Sequence, residues 1–267
     1  MEKRIKHRSL FISHGGGPLP LMGDESHQEM IDLLLQIRID LPKPSVILLI
    51  SAHWEQQQPT ITGNANPELL YDYSGFPEET YRIKYPAPGH PHLAKEVYSL
   101  LKNKGFEPAI DNSRGFDHGM FIPLKIMYPE ADIPCVQLSL VNNLDPSLHI
   151  EIGEVLADIQ QEGLLVIGSG FSFHNMRAFF SSTSLQEENM NNAFEEWLIE
   201  TCTSREIMES ARREALINWE KAPHARYCHP REEHLLPLHV CYGINNCASS
   251  MFYPVKILRK RASFYLW

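Results

Sequence analysis

Val46-Ile47-Leu48-Leu49-Ile50 is an apolar run with no side chain suited to facing water. A run this short and this dry reads as a strand buried on both faces, which requires a sheet covered on both sides by helices. Residues 9–13, 135–140, 164–168 and 255–258 join 45–51 as strand candidates. Helical spacing marks 28–38, 92–102, 148–161, 185–202, 204–219 and 234–243. In the first of these Ile31, Leu34 and Leu35 keep the period, with Ile39 just beyond. The alternation predicts an α/β fold: one domain over 1–267 with a mixed, largely parallel sheet and helices on both faces. Length permits one such core.

Charge and cysteine usage then narrow the function. A net charge of −9 and a pI near 5.8 argue against nucleic acid or an anionic membrane as partner. The single basic cluster, Arg259-Lys260-Arg261, reads as a solvated strand end beside 255–258. No window reaches the ~20 apolar residues of a membrane span, and Leu10-Phe11-Ile12 is too short for a signal-peptide core. The five cysteines are scattered with no CxxC pair, which speaks against a disulfide framework or a thiolate zinc site. A reduced, cytoplasmic setting is expected; a homo-oligomer is compatible with the sequence but not specified by it. Residues 64–89, with four prolines and many aromatics, predict a long structured loop folded over something.

The histidines give that loop a purpose. Three of the strand candidates run into one: 9–13 into His14, 45–51 through Ala52 into His53, and 164–168 through a short linker into His174. Parallel strands deliver all three to the carboxyl edge of the sheet, where α/β folds bind ligands. Neutral imidazole is the commonest metal ligand and suits zinc, iron, copper or nickel. A further ligand is expected from "HPREEHLLPLHV" (229–240). His234, which opens an apolar run, is preferred over His229; Glu233 competes, since two histidines and a carboxylate also bind Fe(II). His239 lies five residues on, about 140° around a helix. His118, in the glycine-bounded "GFDHGMFIPL" (115–124), is an acid/base candidate. Trp54 and Phe76 are candidate apolar walls, and Arg177 and Lys84 candidate partners for a substrate carboxylate. His7, His27, His149 and His224 sit among polar neighbours and are expected at the surface, while His90 and His92 are expected to cap the helix that follows. Gly15-Gly16-Gly17 lacks a P-loop lysine, and "GSGFS" (168–172) is not a serine-hydrolase elbow.

Together, "FISHGGGP" (11–18), "SAHWE" (51–55), "GFPEETYRIKYPAPGHP" (75–91), "GFDHGMFIPL", "YPEADIPCVQLSL" (128–140), "GSGFSFHN" (168–175) and "REEHLLPLHV" (231–240) resemble the DODA-type class III extradiol ring-cleavage dioxygenases, in the family's order. The resemblance implies that His14, His53 and His234 bind the metal. His174 would be the neighbouring acid/base, able to act as a fourth ligand to zinc, and His118 a second acid/base. It further implies Fe(II), with Zn(II) as a possible occupant of the same site, and insertion of O2 into a small DOPA-like catechol to give a ring-opened semialdehyde. The chain departs from many members in reading His-Gly-Gly-Gly-Pro where they read His-Gly-Ser-Pro. Two other classes stay open on the sequence: a non-enzymatic metal-binding module of the Memo type, and a zinc-dependent hydrolase.

Overall fold

Alternate residues of one strand sort the core into two. Ile47 and Leu49 pack into one hydrophobic cluster, Val46, Leu48 and Ile50 into another on the opposite face. The computed structural model describes residues 7–181 and 184–267. Its strands are β1 (Arg8–Ser13), β2 (Val46–Gln56), β3 (Thr60–Thr62), β4 (Ala109–Asp111), β5 (Cys135–Val141), β6 (Leu164–Gly170), β7 (Met251–Ile257) and β8 (Lys260–Leu266). They form one eight-stranded sheet in the order β4-β3-β5-β2-β6-β1-β8-β7. The central β5-β2-β6-β1 block is parallel, and β8 and β7 extend it antiparallel.

The helices are α1 (Gln28–Asp40), α2 (Pro91–Asn103), α3 (His118–Met127), α4 (Pro146–Leu156), α5 (Met176–Phe180), α6 (Leu185–Thr203), α7 (Glu209–Ile217), α8 (Ala225–Cys228) and α9 (Leu236–Asn245). Apolar residues of α1, α3 and α6 fill one face of the sheet and those of α2 the other, while α4 and α9 contribute to both clusters. Fold class and doubly covered sheet therefore agree with the sequence reading. No helix among the described residues is long and apolar enough to cross a membrane.

Three local differences have physical causes. Helix α3 forms despite Gly119 and Pro123 because every residue in it except Lys125 is buried, so packing outweighs propensity. Arg259-Lys260-Arg261 is a solvated end only in part: Leu258 and Arg259, both at positive φ, turn the chain with Arg259 exposed, but Lys260 begins the inner strand β8 with 2% exposure. His7, His27 and His149 are buried rather than superficial, whereas His224 is exposed. Each buried ring ties down backbone. His149 Nδ1–H donates to the Asp145 carbonyl at 2.7 Å, while its Nε2 accepts from Val141 N–H at 3.1 Å. His27 Nε2 accepts from Gly16 N–H at 3.0 Å, so the glycine run is pinned by an imidazole. His90 does cap α2, its Nδ1 accepting from Leu93 N–H.

Burial lowers the pKa of His149 to about 4 and of His229 to about 3. The unfolded chain therefore takes up protons first as pH falls below about 6.5. Stability of the metal-free protein is full above that value and is expected to decline toward pH 4, by about 1.4 kcal/mol per pH unit for each such histidine. Thermal unfolding at pH 7, 6 and 5 checks this, with His149→Gln giving a shallower slope. A flat profile would contradict it.

Candidate metal centre

Four elements converge beyond the carboxyl edge of the sheet. His14 follows β1 directly, its N–H held by the Gly170 carbonyl. His53 owes its place to an irregularity in β2: Ser51 pairs with Ser139 but Glu55 with Leu140, leaving Ala52, His53 and Trp54 unmatched. Such a bulge re-aims a side chain at a sheet rim. His234 comes from the segment leading into α9, which lies against β6 at two glycines. A Cβ on Gly170 would stand 2.1 Å from the His234 carbonyl oxygen, and one on Gly168 2.6 Å from that of Pro237. Phe171 N–H then donates to the His234 carbonyl at 2.9 Å.

The ring nitrogens of His14, His53 and His234 lie within 4.8 Å of one another, with His14 and His53 Nε2 2.9 Å apart. Three positive charges cannot share that space. Burial first, then the facing imidazoles, holds His14 and His53 well below pKa 6.5 and lowers His234 to about 3. The tautomers follow from the partners. Ser169 Oγ donates to the Gly119 carbonyl, so it accepts from His14 Nδ1–H at 3.0 Å. His234 Nδ1–H donates to Glu233 Oε1 at 2.8 Å. His53 Nδ1 faces Asp72 Oδ2 at 3.5 Å. With the δ protons so placed, three Nε2 lone pairs turn toward one point. Neutral imidazoles with a carboxylate or hydroxyl behind each are the donor set of a histidine metal site, so the residues fit a divalent metal ion.

Two more imidazoles border that point. His174 lies stacked on His234, with ring centroids 3.4 Å apart, and its Nδ1–H donates to the same Glu233 oxygen at 3.2 Å. His118 is the first residue of α3; its Nδ1–H donates to Asp72 Oδ1 at 2.8 Å. Burial works against charge on Asp72 and Glu233, yet the imidazole hydrogen bonds prevail and hold both below the usual carboxylate range. The rings open onto a cavity of about 400 Å3 whose other walls include Leu19, Tyr73, Phe76, Phe171, Phe179 and Leu258.

The sequence candidates sort accordingly. His14, His53, His118, His174, His234 and Phe76 all line this cavity. Trp54 does not. Consecutive strand residues face opposite ways, so it is buried beneath the Arg114 guanidinium, 4.6 Å from its ring. Arg177 is exposed and also absent from the wall, because α5 turns Met176, Phe179 and Phe180 to the cavity. His229 and His239 are buried structural rings bonded to the Ser172 and Leu216 carbonyls. Glu233 sits on the Nδ1 side of His234 and accepts its ring N–H. Asp72 was missed; the only hint was an acid between Tyr71 and Tyr73 in the aromatic loop. Removing either carboxylate, by Asp72→Asn or Glu233→Gln, is expected to weaken metal affinity about 10- to 100-fold. Chelator competition with Zn(II) measures it, and undiminished affinity in Glu233→Gln would take that carboxylate out of the centre.

Comparison with known proteins agrees with this geometry. Residues 8–266 match the family model "Catalytic LigB subunit of aromatic ring-opening dioxygenase". The 4,5-DOPA dioxygenase extradiol of Beta vulgaris is 39% identical over 243 residues, 91% of this chain and 88% of that one. The dioxygenase tasH of Hapsidospora irregularis is 39% identical over 87% of this chain and 76% of its own. The 4,5-DOPA dioxygenase extradiol of Escherichia coli is 32% identical over 86% and 82%. Among solved structures, the uncharacterized protein JW3007 of Escherichia coli K12 superposes with a TM-score of 0.77 at 27% identity, covering 97% of this chain and 99% of that one. The chain belongs to the LigB family of extradiol aromatic ring-opening dioxygenases, which are metal-dependent enzymes.

Proposed function

We propose that the three-histidine centre of His14, His53 and His234 holds Fe(II) and that the enzyme cleaves a small catechol, the class that includes the DOPA named for its plant and bacterial relatives. The observation that carries this reading is the convergence of three neutral imidazoles, with two further imidazoles beside them, on one apolar cavity. A redox-active ion there supplies what a singlet catechol and triplet O2 lack, a spin-permitted route to reaction. Zn(II) suits the same donors but has no redox chemistry.

The remaining work falls to the chain's own groups. A catechol must lose a proton as it binds, and His174 Nε2 is the base on offer, with Glu233 fixing its ring through Nδ1. The imidazolium so formed is stabilised by that carboxylate and can return the proton later. His118, held by Asp72 in the same manner on the opposite side of His53, is the second proton carrier. The aromatic walls give the reacting ring an apolar setting. The expected product is a ring-opened semialdehyde.

Oxygen uptake by protein loaded anaerobically with Fe(II), followed together with the absorbance of a yellow product, tests the reaction. His174→Phe is expected to keep its metal and lose about 10²- to 10⁴-fold in turnover. Full turnover by that variant would remove His174 from proton transfer, and absence of uptake by the iron-loaded parent with every catechol would overturn the reaction.

A further inference from the structure

Among the described residues, the wall of the cavity that contains the histidines includes no lysine, arginine, aspartate or glutamate. Beyond the imidazoles and the glycines of the 15–17 run, its wall is Leu19, Tyr73, Phe76, Phe171, Phe179 and Leu258, with Met176 and Phe180 at the mouth. Those last two are 53% and 77% exposed, so the apolar lining continues out to solvent. Large apolar side chains left in water at a pocket mouth mark a surface that meets an apolar ligand.

The charged residues of the neighbouring segments do not line it, and Arg177, exposed beside Met176 on α5, is likewise outside the wall. Arg114 donates to Asp117 Oδ2 at 3.1 Å while stacked on Trp54. Arg231 is held in a double hydrogen bond by Glu55, at 2.5 and 2.6 Å, and approaches Glu233 at 3.4 Å. Arg259, next to Leu258 in the chain, faces a separate surface cleft with Lys256 and Arg261. Among the carboxylates, Asp72 accepts from His118 and faces His53, and Glu233 accepts from His174 and His234. An amino-acid side arm on the catechol would thus bring a carboxylate and an ammonium into a wall where neither finds a counter-charge, and unpaired burial of either is costly.

We infer that the preferred substrate is a catechol carrying an uncharged, apolar ring substituent, which runs along Phe76, Phe179 and Leu258 and leaves past Met176 and Phe180. This rests on the ring-cleavage reading for its catechol half, but its apolar half comes from the wall alone. Leu258 is a specificity residue on this view. The β7–β8 turn, with Leu258 N–H bonded to the Ser26 carbonyl at 3.1 Å, sets how far it enters.

The test separates binding from turnover. Calorimetry with Zn(II)-loaded protein compares 4-propylcatechol, L-DOPA and 3-(3,4-dihydroxyphenyl)propionate. 4-Propylcatechol is expected to bind about tenfold or more tighter than either charged catechol, and Met176→Arg to reverse the order in favour of the propionate. L-DOPA binding as tightly as 4-propylcatechol would overturn the inference. In the Fe(II) oxygen-uptake assay, fastest turnover of L-DOPA would do the same while leaving ring cleavage intact. The binding order without uptake on any catechol would keep the apolar selectivity and remove the ring-cleavage reading.

Discussion

Everything at this site depends on three imidazoles, His14, His53 and His234, staying neutral while crowded together. Two Nε2 atoms 2.9 Å apart are tolerable only without positive charge on both rings, and burial is what removes it. Neutrality alone would not aim the lone pairs. Ser169, Asp72 and Glu233 do that by taking up the δ face of each ring, so that the ε face is left for a ligand. The two carboxylates serve twice: Asp72 orients His53 and His118, Glu233 orients His234 and His174. Under the proposed function, metal ligation and proton transfer are coupled through these shared acids, so a change at either acid reaches both.

The fold serves this constraint at several points that cost it regularity. Strand β2 loses register after Ser51, and Ser51 Oγ, freed from a strict ladder, accepts the His53 N–H and donates to buried Asp117. Strand β6 ends in glycines because the backbone before α9 lies directly upon it. Helix α3 begins at His118 because Asp72, from the 64–89 loop, accepts both its backbone N–H and its ring N–H. That loop is therefore part of the centre as well as its cover.

Much of this could be read from residues in order. Dry runs such as 46–50 specify an interior strand by composition alone, and a histidine at the end of such a run has nowhere to go but the sheet edge. What escaped the sequence was long-range. Asp72 has no spacing relation to His118 or His53, and only tertiary packing brings the three together. His149 and His27 looked superficial because their sequence neighbours are polar, whereas each fills a backbone gap that no local pattern announces. Trp54 was misassigned for a simpler reason: a bulge does not abolish alternation, so the neighbour of an inward His53 points outward. The carboxylate role of Glu233 was half legible, since adjacency to His234 flagged it but could not tell a ligand from the group behind one.

The most direct measurement is X-ray absorption on Zn(II)-loaded protein beside its His53→Ala variant. The parent is expected to bind one ion with an imidazole shell at about 2.0–2.1 Å, and the variant to lose one imidazole from that shell together with most of its affinity. An ion bound equally well in the variant, with an unchanged shell, would mean that the metal lies elsewhere and that the convergence of His14, His53 and His234 is not the centre of this enzyme.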